Sequence, residues 1–111
     1  MENISIGQVV LASFPFSNLS SKKLRPCLVI GVAEFNDIVL CQITSKSYSS
    51  KRAVSLKRTD FSKGSIVIDS FIRPDKIATL DKGMINNVLG TINEIKLGEV
   101  KLKLKAFLEI E

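Results

Sequence analysis

The chain has no histidine. That removes the side chain most used as a general base near neutral pH, and the commonest metal ligand with it. Neither a Ser–His nor a Cys–His nucleophile can be assembled. Cysteine is scarce too: Cys27 and Cys41 are the two among 111 residues. Both fall in apolar runs, where a thiol packs as a small hydrophobe. Two such residues make no disulfide framework, and the expectation is a cytoplasmic protein. Long apolar runs are missing. The stretch CLVIGVA falls far short of the roughly 20 residues that span a bilayer, so no membrane association is expected. The start, MENISIGQVV, carries Glu2 and no early Lys or Arg, unlike a secretory leader. Gly-rich phosphate loops, HExxH, CxxC and GxSxG are absent, as are repeats and low-complexity tracts. No metal site and no cofactor are expected.

What is present suits one globular domain over residues 1–111: hydrophobic residues make up 45% of the chain, enough for a core. The formal charge is +5 and unevenly spread. Between Thr44 and Gly64 stand Lys46, Lys51, Arg52, Lys57, Arg58 and Lys63, against Asp60 as the one acid. On charge alone, a solvated basic loop and a face for an anionic partner such as nucleic acid are equally good readings.

Most of the chain reads as β structure. IGQVVLASF shows partial alternation rich in Val and Ile, and Pro15 with SNLSSKK marks a loop. PCLVIGVA is almost wholly apolar, as a strand buried on both faces should be. Residues 34–37 form a turn signal, with DIVLCQITS as the hairpin partner. AVSL is a weak strand. GSIVIDSFIRP reads as a strand ended by Pro74, followed by DKIATLDK as a short strand or turn. KGMINNVLGTI suggests one or two helical turns stopped by Gly90. From Asn93, an N-cap, a helix follows with Leu97, Val100, Leu104, Phe107 and Leu108 on one face. The expected fold is mainly β with a C-terminal helix, a small barrel-like sheet.

Phosphate handling is the chemistry that the remaining side chains allow. In LRPCLVI, Pro26 removes a backbone donor and biases Arg25 toward extended geometry, leaving Arg25 at the rim of a strand. Alone, Arg25 reads better as a rim ion-pair partner. Thr44 and Ser45 close the neighbouring strand, and Thr44 alone is simply a β-branched residue at a strand end. If the two strands pair through the 34–37 turn, Arg25 and Thr44 meet at one end of the hairpin. There a guanidinium and a hydroxyl could clamp a phosphodiester.

The run GQVVLASFPFSNLSSKKLRPCLVI, then QITSK, then GSIVIDSFIRPDKIATLDK, resembles the PemK/MazF family of toxin endoribonucleases. The likeness extends over essentially the whole chain. It implies an SH3-like β-barrel with a C-terminal helix, a homodimer, sequence-selective cleavage of single-stranded RNA, and a cognate antitoxin protein that covers the RNA groove. DNA would be a partner through the toxin–antitoxin complex. The family's catalytic Arg matches Arg25 and its catalytic Thr matches Thr44, with Ser45 the adjacent hydroxyl. The acid or second arginine that some members place on a later strand has Asp69, Ser70 and Arg73 as candidates here. A histidine found in the first loop of some members has no counterpart.

In such a reaction the 2′-hydroxyl of RNA attacks the adjacent phosphate without a metal. Arg25 suits charge stabilisation, and a guanidinium is a poor base. RNA contacts are expected from Lys22, Lys23, Lys46, Lys51 and Arg52, with Tyr48 or Phe16 stacking a base. A non-catalytic nucleic-acid-binding module and a barrel that engages an acidic protein are the competing readings.

Overall fold

The computed structural model describes residues 3–13, 23–46 and 50–110. Seven strands form one antiparallel sheet: β1 Gln8–Ala12, β2 Arg25–Val32, β3 Asp37–Thr44, β4 Val54–Leu56, β5 Phe61–Gly64, β6 Ser70–Asp81 and β7 Ile85–Ile92. Their order across the sheet is β4-β6-β3-β2-β1-β7-β5. The helix α1, Glu94–Leu108, closes the chain and packs against β6 and β4. The sheet curls into a half-barrel, the mainly-β architecture with a C-terminal helix that the sequence suggests. Among the described residues no helix is long and apolar enough to cross a membrane.

Curling buries both sides of the central strands. Cys27, Val29, Ile38 and Leu40 join Val10, Ala12, Leu80 and Ile85 in one cluster. Leu28, Cys41 and Ile43 join Val9, Val54, Leu56, Ile72, Ile92 and Val100 of the helix in a second. That is why β2 shows no polar alternation in sequence. The β2–β3 hairpin turns through Phe35 and Asn36, both at positive φ (59° and 65°), the pairing that a two-residue type I′ turn demands.

Three expectations need correction. The segment 65–69 is not strand: β6 begins at Ser70 and runs past Pro74 to Asp81, so DKIATLDK is its continuation. Pro74 survives inside a strand because it lies in a bulge. Cys41 pairs with Ile77 while Gln42 pairs with Arg73, leaving residues 74–76 outside the ladder. Three extra residues, an odd number, swap the faces of the strand. Ile72 therefore faces the helix-side cluster and Leu80 the opposite one. Second, KGMINNVLGTI is a 3-10 turn at Lys82–Met84 followed by strand β7, not helix. Gly90 does not stop a helix. It lies opposite Gly64 of β5, where a Cβ on either residue would overlap a backbone oxygen of the other strand.

Third, Leu108 is 52% exposed and leaves the helix's packed face, which Leu97, Val100 and Leu104 supply. The start of α1 follows the sequence. Asn93 caps it, Oδ1 accepting from the Lys96 amide at 2.8 Å. Lys96, buried, reaches Glu99 at 3.0 Å and Asp60 at 3.6 Å. The Asn93 amide in turn donates to the Asp60 carbonyl at 2.7 Å, tying the helix start to the 57–60 turn.

Candidate active site at the open end of the sheet

Register builds the site. Cys27 lies opposite Gln42 in the β2–β3 ladder, and carrying that register two residues further sets Arg25 opposite Thr44. On the other side of β3, Thr44 pairs with Phe71 and Gln42 with Arg73. Directly opposed residues share a face. Two rows result, Arg25–Thr44–Phe71 and Cys27–Gln42–Arg73, side by side on one face. Towards the hairpin turn this face becomes core; towards the strand ends it turns polar.

Each side chain is held by its local backbone. Pro26 pairs with Leu11 of β1, which seats the strand start and leaves Arg25 exposed at its end. The Arg25 carbonyl accepts from the Cys27 thiol at 3.5 Å. Thr44 is half-buried, and its Oγ1 accepts from the Lys46 amide at 3.2 Å. Among the described residues nothing accepts its hydroxyl hydrogen. Arg73 grips Asp75 side-on, Nε to Oδ1 at 3.4 Å and Nη2 to Oδ2 at 3.2 Å, with both side chains about one-quarter exposed. Gln42 stands between these groups. Its Oε1 is buried and has no hydrogen-bond partner among the described residues.

A cavity of about 470 Å³ opens at the same strand ends. Leu11, Pro26, Ile43, Ile66 and Leu89 give it an apolar lining, while Arg25, Gln42, Thr44, Ser45, Lys46 and Ser70 also border it. By alternation the side chains of Pro26, Ile43 and Ser45 point away from the face of Arg25 and Thr44. The cavity thus reaches the two rows at the strand ends, where both faces meet. The charged and hydrogen-bonding groups are on the row side, and the chemistry belongs there rather than in the apolar hollow.

The residues singled out in the sequence divide accordingly. Arg25, Thr44, Ser45, Lys46 and Ser70 border one opening. Ser70 is buried and donates to the Ile68 carbonyl at 2.7 Å, a structural contact that ends the loop before β6. Arg73 joins the polar face by register without bordering the cavity, and Asp69 is exposed in that loop and does not border it either. Lys23 is exposed just before β2 and outside the cavity lining. Lys51 is exposed, with its backbone carbonyl accepting from Lys103 Nζ of the helix at 2.8 Å, and Arg52 stacks over Phe107 at 5.3 Å. Lys22, Tyr48 and Phe16 lie outside the described residues. Sequence reasoning passed over Gln42 and Asp75. The Arg-x-Asp spacing, which suits same-face neighbours on a strand, was the available signal for Asp75, hidden by the reading of Pro74 as a strand end.

The protein-family model for the PemK-like, MazF-like toxin of type II toxin–antitoxin systems matches residues 5–108. The chain belongs to this toxin family. Comparison with functionally curated proteins gives no match. Among solved structures, an endoribonuclease in complex with its cognate antitoxin from a mycobacterial species is similar at TM-score 0.78 and 17% identity, over 98% of each chain. A MazE–MazF structure from Deinococcus radiodurans is similar at TM-score 0.77 and 19% identity, over 97% of this chain and 98% of that one. A second mycobacterial endoribonuclease gives TM-score 0.73 at 19% identity, over 96% and 93%. At such identities the likeness is one of fold. The toxin-family fold thus extends over nearly the whole chain, its two polar rows included.

Proposed function

We propose that this chain is the toxin of a toxin–antitoxin pair and acts as a sequence-selective endoribonuclease on single-stranded RNA, without a metal or other cofactor. The observation that carries the reading is the pair of rows: Arg25 opposite Thr44, flanked by Arg73 with its Asp75. The structurally similar mycobacterial endoribonucleases, one of them in complex with its cognate antitoxin, support it. So does the family match.

RNA brings its own nucleophile. The 2′-oxygen forms a bond to the adjacent phosphorus, the bond from phosphorus to the 5′-oxygen breaks, and a 2′,3′-cyclic phosphate and a 5′-hydroxyl result. One proton leaves the 2′-oxygen for a protein base, solvent supplies one to the departing 5′-oxygen, and the base returns its proton to solvent, so no water is consumed. Arg25 holds the phosphoryl oxygens as charge builds on them, with a fork that matches their geometry. Thr44 donates its hydroxyl hydrogen to the same phosphate. Asp75, held by Arg73, is the carboxylate that takes the proton, a role no guanidinium fills at neutral pH. In the cell the active species is a cytoplasmic homodimer, a cognate antitoxin silences it, and DNA is met through that complex.

The test is cleavage of a mixed-sequence single-stranded RNA in EDTA, with the product ends identified. Cyclic-phosphate ends are expected. Arg25→Ala should lower kcat by about 10²- to 10³-fold, the cost of one transition-state donor, and change the melting temperature little, because the residue is exposed at the strand end. Binding without cleavage by the unaltered protein would make it a nucleic-acid-binding module instead.

A further inference from the structure

Gln42 carries an unmet acceptor at the centre of the site. Its Oε1 is buried and has no partner among the described residues. A carboxamide oxygen left in that state costs the free protein stability, since it gives up water and gains nothing. The surroundings explain neither its presence nor its position. Cys27, its partner on β2, spends its thiol hydrogen on the Arg25 carbonyl. Arg73, its partner on β6, holds Asp75. Gln42 is also two residues before Thr44 on the same strand, so the two side chains share a face. The residue as a whole is half-buried and borders the cavity. Nε2 is not among the buried unpartnered atoms, and a half-turn of the terminal amide exchanges its place with that of Oε1.

We propose that Gln42 is a positioning residue for the attacking 2′-hydroxyl: its Oε1 accepts the hydrogen bond of the ribose beside the phosphate held by Arg25 and Thr44. This rests on the endoribonuclease reading. The geometry selects the donor. Once Arg25 and Thr44 occupy the phosphate oxygens, the nearest hydrogen-bond donor on RNA is the 2′-hydroxyl attached to the same linkage. An acceptor one row behind the phosphate clamp meets it. A carboxamide is too weak a base to remove the proton, which goes to Asp75. What Gln42 supplies is alignment of the oxygen with phosphorus. The same contact distinguishes RNA from DNA, because deoxyribose has no donor to offer.

The test uses short single strands that differ only in one sugar: ribose, 2′-deoxy or 2′-fluoro at the cleavage nucleotide. Fluorine keeps an electronegative group but donates no hydrogen. For binding, an Asp75→Asn background slows turnover of the ribose strand while keeping the phosphate clamp of Arg25 and Thr44. There, the protein with Gln42 should prefer ribose over both analogues by about tenfold, and the same protein carrying Gln42→Met should bind all three alike. Alone, Gln42→Met should lower kcat by about tenfold or more with KM little changed. It should also melt at the same temperature as the unaltered protein or higher, since an unpaired buried polar atom has been removed. A Gln42→Met protein that keeps the ribose preference overturns the proposal. So does one that melts markedly lower with kcat unchanged, which would make the amide structural. If the unaltered protein cleaves and only the sugar preference is missing, Gln42 loses this role and the nuclease reading stands. If it binds RNA without cleaving, the nuclease reading fails, and an equal affinity for the three sugars then removes the Gln42 contact as well.

Discussion

At the scale of single residues, the proposed reaction divides labour by chemistry: it gives charge stabilisation to Arg25, because a guanidinium is a poor base, and proton transfer to another group. That task needs a group whose charge state can change, and Asp75 is the one that the bulge in β6 brings to Arg73. Asp75→Asn keeps the shape and one of the two hydrogen bonds from the Arg73 guanidinium, but removes the proton acceptor. It should lower kcat by about 10²- to 10⁴-fold, as loss of a general base does, with RNA affinity nearly unchanged. Single-turnover cleavage measured beside binding by fluorescence anisotropy supplies the check; full activity in the variant would remove Asp75 from the mechanism.

At the scale of elements, the same bulge shows where sequence reading ends. Strand β2 was legible because burial on both faces suppresses polar residues, and Pro26 punctuates its start. The turn at 34–37 and the cap at Asn93 were legible because each is a local event, written in adjacent residues. Arg25 and Thr44 could be set together because a short hairpin fixes their register. Strand β6 was not legible: a bulge of three residues breaks the period of two, and its reason lies in pairing with β3 rather than in its own sequence. Strand β7 was misread for a related reason. Met84, Ile85, Val88 and Leu89 fall at helical spacing by coincidence, and the pairing of Gly90 with Gly64 that makes the segment a strand is long-range. The local devices also carry stability. Asn93 satisfies an orphan amide of α1, and its side chain reaches the Thr59 carbonyl at 3.5 Å. Asn93→Ala should cost about 1 kcal/mol. In a domain of this size that lowers the melting temperature by roughly 4–8 °C, measured by circular dichroism, with the rate of RNA cleavage unchanged.

At the scale of the whole molecule, the core sets the response to alkali and the surface sets the response to salt. Burial pushes the Cys27 thiol from 9.0 up to about 12, with Cys41 as a further cause. Burial likewise pushes Cys41 from 9.0 up to about 12, with the Asp75 carboxylate adding to it. Both groups remain neutral in the folded chain while the unfolded chain ionises. Stability from this source is therefore complete below pH 9 and is lost as pH rises from about 9 to 12, by up to about 1.4 kcal/mol per pH unit for each thiol. Denaturant melts across that range should show the decline, and a Cys27→Ala/Cys41→Ala double variant should show a shallower one. Salt tests the surface. The basic segment that looked uniform in sequence is divided by the fold. Lys46 borders the cavity beside Thr44, while Arg52 is spent on Phe107 at the helix. For single strands, each phosphate contact adds about 0.7 to the slope of log affinity against log salt concentration. Lys46→Ala should reduce that slope by about 0.7, measured by fluorescence anisotropy between low and physiological salt. Arg52→Ala should leave the slope unchanged and lower the melting temperature instead, because it removes a packed cation from the helix. Equal loss of slope in both variants would mean that RNA follows the charge of the whole segment, and that the strand ends alone do not define its path.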